Sequence, residues 1–254
     1  MRRTLRSLHL LYHELRPISS DYSYVVATSA FEEHLNLFRQ IRETEGCSLR
    51  PEITFDDGHI SNLEYGMPLL QSRGFIAQFF ITVGWTGQKK GYMDWQELRE
   101  LHGSGQMIGA HGWSHTLLTH CSKDELDGEL RRSRLTLEDK LGTSITTMSL
   151  PGGRYNRRVL AACEEAGYTE VYTSIPRAEQ TPHGSIIGRL NIRGDMKRDW
   201  IASALRPESG VLSRLGQQYR IKTTAQALLG DSLYGKLWSL VNRQESDSDA
   251  GATQ

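Results

Sequence analysis

Two short stretches of this sequence hold residues that could do chemistry together. Asp56 and Asp57 stand in Thr54-Phe55-Asp56-Asp57-Gly58, behind an apolar run and ahead of a glycine. His111 and His115 stand four apart in His111-Gly112-Trp113-Ser114-His115, directly behind the apolar run Met107-Ile108-Gly109-Ala110. One carboxylate and two imidazoles suffice to hold a catalytic divalent metal that keeps a position open for water. The second carboxylate is then free to take a proton from that water. Adjacent residues leaving a strand point in different directions, so Asp57 can face a metal while Asp56 faces the water. A bound metal lowers the pKa of its water, so hydroxide becomes available near neutral pH. Taken singly, Asp-Gly is ordinary turn chemistry and two loop histidines are commonplace. Their shared position behind strands gives the chemical reading its weight.

The elements that must position these residues follow from hydrophobic periodicity. Apolar runs at 8–12, 53–55, 75–83, 107–110, 145–150, 169–174 and 186–192 predict seven strands. Helical spacing between them predicts helices that open on capping boxes. These are Ser29 with Glu32, running to about Glu45 and stopping at Gly46; Asp94 with Glu97; and Ser122 with Glu125. Asn156 caps another, and a helix carrying Leu63, Leu69 and Leu70 is kinked or split by Pro68. Alternating strands and helices imply parallel βαβ units, which close most economically as an α/β barrel with about seven parallel strands. In such a barrel the loops behind the strands build the active site. Asp56 and Asp57, His111, and Pro151-Gly152-Gly153 behind the fifth strand therefore converge on one mouth. The unobstructed N–H groups of the Pro-Gly-Gly turn suit an oxyanion donor. Trp85, Tyr92 and Trp113 fall in or near mouth loops, where they could stack on a substrate or pack the rim. His59 and His102 read as surface residues, His34 as the polar side of its helix, His120 as the approach to the helix at Ser122, and Cys163 as core.

The barrel is expected over 1–205 and a packed helical extension over 206–243, with amphipathic helices at 225–241. A disordered polar tail is expected over 244–254. Thirty basic and thirty acidic residues cancel, which argues against a nucleic-acid partner. Three scattered cysteines, Cys47, Cys121 and Cys163, argue for a reducing compartment. With no apolar segment of spanning length and no cleavage pattern behind Arg2-Arg3, a cytoplasmic protein is expected, with peripheral membrane contact through the C-terminal helices as a variant.

These residues together resemble the polysaccharide deacetylase family, carbohydrate esterase family four. Thr54-Phe55-Asp56-Asp57-Gly58 matches its first motif, and His111 to His115 followed by Leu118 matches its second. Ser149-Leu150-Pro151-Gly152-Gly153-Arg154-Tyr155-Asn156 is similar to a variant form of the third. The resemblance covers roughly 8–195 and implies a distorted (β/α) barrel. It also implies that Asp57, His111 and His115 hold zinc or another divalent metal (cobalt, nickel or manganese), that Asp56 is the general base, and that the Gly152 amide holds the oxyanion. Pro151, Tyr155, Trp85 and Trp113 are then expected at the substrate. Three family features are missing where expected, one of them the acidic-tryptophan pattern of the fourth motif, since Asp199-Trp200 comes late in the chain. Ser149 stands where many members carry an arginine that orients the base, and the leucine-histidine motif of the general acid is not recognisable. His13, behind the first strand, and His183, before the last, are the candidate proton donors.

The expected activity is hydrolysis of the acetamide of an N-acetylated sugar, on a cytoplasmic glycan precursor such as a nucleotide- or lipid-linked sugar. Two other readings stand beside it: hydrolysis of a non-sugar amide or cyclic imide at the same metal site, and a catalytically weak protein that binds glycan.

Overall fold

A computed structural model describes residues 6–44, 49–180 and 184–224. Eight strands form one continuous series of neighbours. They are β1 (Arg6–Tyr12), β4 (Leu49–Phe55), β5 (Ala77–Ile81), β6 (Met107–Ala110), β7 (Thr147–Ser149), β8 (Glu170–Tyr172), β10 (Ile186–Ile187) and β11 (Arg189–Asn191). Their order is β10-β8-β7-β6-β5-β4-β1-β11, every neighbouring pair parallel. β9 (Glu179–Gln180) adds an antiparallel pair to β1, and β2 (Glu14–Arg16) and β3 (Val25–Ala27) form a separate parallel pair near the mouth.

Each of the seven predicted runs contains a strand, and the last contains two. That run breaks at Gly188: Ile187 pairs with Tyr172 at one end of the sheet, while Arg189 pairs with His9 at the other. One residue therefore joins the two ends and nearly closes the barrel. A Cβ at 188 would lie 2.5 Å from both the Ile175 carbonyl oxygen and Arg177 Cγ, so only glycine fits the seam. Its N–H donates to Glu179 Oε1 at 2.6 Å.

Strand alternation sorts the side chains into two sets. Leu8, Leu10 and Tyr12 of β1, Ile53 and Phe55 of β4, and Phe79 and Ile81 of β5 point outward into the core beneath the helices. The opposite faces close the interior, where Phe80, Tyr172 and Ile187 form a second small cluster. The helices are α1 (Thr28–Glu43), α2 (Met67–Gln71), α3 (Trp95–Gly103), α4 (Lys123–Leu141), α5 (Arg157–Glu165) and α6 (Arg198–Ala204). Asp94 and Ser122 form the predicted capping boxes, and Asn156 caps α5 through Val159 N. The Ser29–Glu32 box does not form. The helix starts earlier, behind Ala27, because β3 delivers the chain directly into it without a side-chain cap. Pro68 splits its segment into a π-helical turn at Asn62–Gly66 and the short α2, as proline in a first turn costs no hydrogen bond. Residues 211–224 are helical, with Leu212 and Leu215 packed on the core. The helices expected over 225–241 and the tail over 244–254 lie outside the described residues, as does Cys47.

His34 is not on the polar side of α1. It is buried, with Nδ1 3.1 Å from the Tyr12 hydroxyl, because helix α1 turns that residue into the strand β1 face. Burial, aided by Arg198, pulls its pKa down to about 4. An unfolded chain protonates His34 below about pH 6.5, the folded one only near 4. The unfolded state therefore binds more protons in that window, and stability is lost as the pH is lowered through it. The full drop is on the order of 3 kcal/mol. Urea titrations at pH 7, 5.5 and 4 should show a steeper loss for the parent than for His34→Phe; equal slopes would remove His34 from the acid limb.

Candidate metal centre and active site

Strands β4 and β6 end at one mouth of the barrel, with β5 between them. Beyond β4 the Asp56 N–H still donates to the Tyr12 carbonyl at 3.0 Å, so Asp56 keeps the strand's alternation and points inward. Beyond β6 the His111 N–H does the same with the Ile81 carbonyl at 2.8 Å. The chain then turns sharply at both places. Asp57 has φ 74° and His115 φ 64°, and among the described residues no other non-glycine has positive φ. Such backbone costs roughly 1–3 kcal/mol and persists where the surroundings over-determine it. Two of the three residues picked out as metal ligands carry it.

The strain serves a convergence. Asp57 Oδ1 lies 3.4 Å from His111 Nε2 and 3.3 Å from His115 Nε2. Yet that oxygen is buried and has no geometrically aligned hydrogen-bond partner. One ligand atom from each of the three residues falls within 4.8 Å of the others. An orphaned carboxylate oxygen facing two imidazole nitrogens fits a divalent cation. The His111 tautomer fits too. Its Nδ1 lies 2.8 Å from the Ser149 carbonyl, which can only accept, so Nδ1 carries the proton and Nε2 keeps its lone pair toward Asp57.

Asp56 is held differently. The Arg189 guanidinium grips it bidentately, Nη1 to Oδ1 at 2.7 Å and Nη2 to Oδ2 at 2.8 Å. Nη2 also donates to Ser149 Oγ at 2.7 Å, and that hydroxyl donates on to Asp56 Oδ2 at 2.9 Å. Nε donates to the Thr173 carbonyl at 3.1 Å and Nη1 to Thr54 Oγ1 at 3.4 Å. All five guanidinium N–H groups are thus used. Phe80 and Tyr172 flank the group from the barrel interior. The arginine expected at position 149 comes instead from the far seam of the barrel, and the serine at 149 completes its hydrogen bonds. A charge inside the apolar run Ile186-Ile187-Gly188-Arg189-Leu190, on the same alternation as Ile187, was the available signal.

The electrostatics follow from these contacts. Burial works to raise the Asp56 carboxyl, but Arg189 and then His111 outweigh it and hold it below the usual range. Burial likewise opposes the Asp57 charge, while His111 and His115 keep that carboxyl well below its ordinary value. His111 is pulled down by burial and raised overall by Asp56 and Asp57.

Glu129 of α4 braces the histidine loop from below, accepting from the Trp113 N–H at 2.8 Å, the Ser114 N–H at 2.9 Å and the Ser114 hydroxyl at 2.6 Å. It was not singled out in the sequence, although it sits among Leu126, Leu130 and Leu137 on the buried face of its helix. Gly112 (φ 77°) passes directly over it, and a Cβ there would lie 3.0 Å from Glu129 Oε2.

The remaining sequence candidates divide. His13 stands at the mouth behind β1, its ring 4.8 Å from that of Tyr24, and its buried Nδ1 has no partner. Burial lowers its pKa, although Asp57 and Asp56 pull the other way. Its carbonyl accepts from buried Asn62 at 2.8 Å, which fixes its backbone over the site. Gly152 is exposed in a left-handed turn, with Pro151 buried and Tyr155 half-buried beside it. Trp85 is engaged by two neighbours: the His115 ring lies 5.1 Å away and Lys89 Nζ stands 3.4 Å over the Trp85 ring. Trp113 packs against Gly84 beneath Arg132, so its ring serves the rim. His59 is half-buried rather than on the surface, with Nδ1 2.8 Å from Ser61 Oγ, because an antiparallel bridge to Tyr92 draws it in. His102 is half-buried and His120 exposed. His183 lies outside the described residues. No described helix is long and apolar enough to cross a membrane.

Comparison with known proteins finds similarity over the same stretches of the chain. The family model described as polysaccharide deacetylase matches residues 51–171, which span both ligand stretches and Pro151-Gly152-Gly153. The protein YxkH of Bacillus subtilis is 28% identical over 193 residues, 69% of this chain and 67% of that protein. The peptidoglycan-N-acetylglucosamine deacetylase PgdA of Listeria monocytogenes is 31% identical over 127 residues, half of this chain but only 26% of PgdA. Among solved structures, the Streptococcus pyogenes deacetylase PplD, in complex with acetate, superposes with a TM-score of 0.71 at 19% identity. It covers 80% of this chain and 100% of PplD. IcaB from Ammonifex degensii gives 0.65 at 21% identity, over 80% of this chain and 97% of IcaB. At such identity the structural likeness speaks to the fold.

Proposed function

The chain belongs to the polysaccharide deacetylase family, and on that premise we propose that it is a metal-dependent hydrolase removing acetyl from an N-acetylated sugar of a glycan or glycan precursor. The observation that carries this reading is the orphaned Asp57 Oδ1 facing two imidazole nitrogens, with an immobilised second carboxylate alongside. Asp57, His111 and His115 would hold the cation. A divalent ion there, zinc first or else cobalt, nickel or manganese, supplies Lewis acidity to the acetyl carbonyl and acidifies water.

Asp56 is the general base. Its lowered pKa keeps it ionised at neutral pH, as a proton acceptor must be. Three of its roughly four acceptor positions are taken by Arg189 and Ser149, which leaves one on Oδ1 for the proton of water. Rigid placement of that lone pair is the contribution of Arg189. The Gly152 N–H, on a turn without a side chain, is the second donor to the oxyanion. His13 is our candidate for protonating the departing amine. Burial leaves it neutral at rest, so it must take up a proton within the cycle before giving one.

The deciding experiment is acetate release from N-acetylglucosamine oligomers by the chain stripped of metal and reloaded with zinc. Zinc-dependent release, lost in Asp56→Asn, is expected. Zinc bound through the three ligands without release from any glycan would reject the sugar reading and turn attention to amides and cyclic imides. Glu129→Ala should weaken zinc binding by about 10- to 100-fold, as loss of an outer hydrogen-bonding shell does. Isothermal titration of the apo chain with zinc checks this, and unchanged affinity would show that the loop holds its shape alone.

A further inference from the structure

Around the mouth, acidic and basic side chains are in different situations. Among the acids, Glu14 is paired with Arg16, Asp94 is spent on the amides of α3, and Glu129 on those of the histidine loop. Two cations that rest on aromatic rings there have no carboxylate partner among the described residues. Lys89 Nζ stands 3.4 Å above the Trp85 ring and 4.5 Å from the Tyr92 ring, with the Tyr92 hydroxyl at 3.4 Å. The Arg132 guanidinium stands 3.4 Å above the Trp113 ring. Both residues are exposed.

Contacts tie both to the metal centre. The Trp85 ring that carries Lys89 lies 5.1 Å from His115, and His115 lies 3.3 Å from Asp57. Trp113 follows His111 by two residues, and its carbonyl accepts from the Gly84 N–H at 2.8 Å, next to Trp85. The two cations therefore crown adjacent segments of one rim. A cation resting on an aromatic face is oriented by the ring but keeps its charge and its outward N–H groups. Lys89 already occupies the Trp85 face over which it stands, so a neutral sugar would have to displace it there, whereas an anion can be met without moving it.

We propose that this rim recognises an anionic group, a carboxylate or a phosphate, on the glycan that presents its acetamide to the metal centre, with Lys89 and Arg132 as the recognising cations. This rests on the deacetylase reading and adds the charge of the substrate to it. Electrostatic recognition of this kind acts mainly on encounter and KM and weakens with salt.

The test compares three probes on the zinc-loaded full chain: a neutral N-acetylglucosamine tetramer, an oligomer of equal length alternating N-acetylglucosamine with glucuronic acid, and uridine diphosphate N-acetylglucosamine. The carboxylate and the phosphate probes separate the two sources of charge. At low salt, kcat/KM for one anionic probe should exceed that for the neutral one by about fivefold or more, through KM, and the ratio should shrink toward one near 0.5 M NaCl. Lys89→Gln and Arg132→Gln should each lower the ratio, Lys89→Glu should invert it, and Lys89→Arg should keep it. Equal kcat/KM for all probes, or a ratio unmoved by both glutamine variants, would overturn the inference while the deacetylase reading stands. Absence of acetate from every probe would reject that reading instead. Calorimetric binding of the same probes would then decide the inference: tighter anionic binding that Lys89→Gln abolishes upholds it, and equal binding overturns it.

Discussion

Arg189→Met should cut kcat by about 100-fold or more and destabilise the fold by roughly 3–5 kcal/mol, the usual cost of leaving one member of a buried ion pair uncompensated. Methionine preserves most of the volume between Phe80 and Tyr172 but strands Asp56, Ser149 Oγ and the Thr173 carbonyl inside the barrel. The Asp56 carboxyl, no longer held down by the guanidinium, moves up toward the range that burial favours and loses both its orientation and part of its ionised population. Activity should therefore fall in kcat more than in KM, since Arg189 acts through the base. Arg189→Lys restores the charge but not the fork, and should recover only part of the loss. Urea unfolding and steady-state kinetics on both variants provide the check. If Arg189→Met, assayed where it remains folded, keeps its kcat, then Arg189 is structural only and Asp56 needs no orienting partner.

Asp57→Gly should do the opposite to stability while abolishing the metal centre. Glycine adopts φ 74° at no steric cost, so the substitution removes backbone strain worth about 1 kcal/mol or more. It also removes a buried oxygen that has no hydrogen-bond partner in the metal-free chain. Each kcal/mol raises Tm by about 2–4 °C in a chain of this size. The expected outcome is thus a metal-free variant that melts a few degrees above the metal-free parent, yet binds no zinc by titration and is not stabilised by adding it. A lower Tm in the variant would show that attraction between Asp57 and the two histidines outweighs the strain, and that the site is built for a buried ion pair rather than for a cation.

Both predictions concern residues whose roles differ in how far they can be read from the chain. Asp56, Asp57, His111 and His115 were legible because each pair is local. Two residues leaving one strand, or two histidines behind another, reach the mouth by strand direction alone, and a parallel barrel collects such ends on one side. The seven strands were legible for a similar reason, since a buried parallel strand writes itself as an unbroken apolar run. The capping boxes at Asp94 and Ser122 formed as expected because no neighbouring element competes for those first turns. At Ser29 a strand enters the helix directly, and the box is not used.

The sequence by itself determined the alternating barrel, the mouth at which the carboxylates and imidazoles meet, and the set of side chains gathered there. Each of these depends on periodicity within a segment or on the order of segments along the chain. Only the tertiary structure decided which side chain holds Asp56, what covers Trp85 and what supports the histidine loop. Arg189 is 133 positions from Asp56 in the chain, and reaches it because Gly188 lets one run pair with β8 and then with β1, bringing the two ends of the sheet together. Such contacts are made across the barrel rather than along a segment. Their physical basis is the need to satisfy every buried charge and hydrogen-bonding group at once, and that requirement is met only when the ring of strands closes.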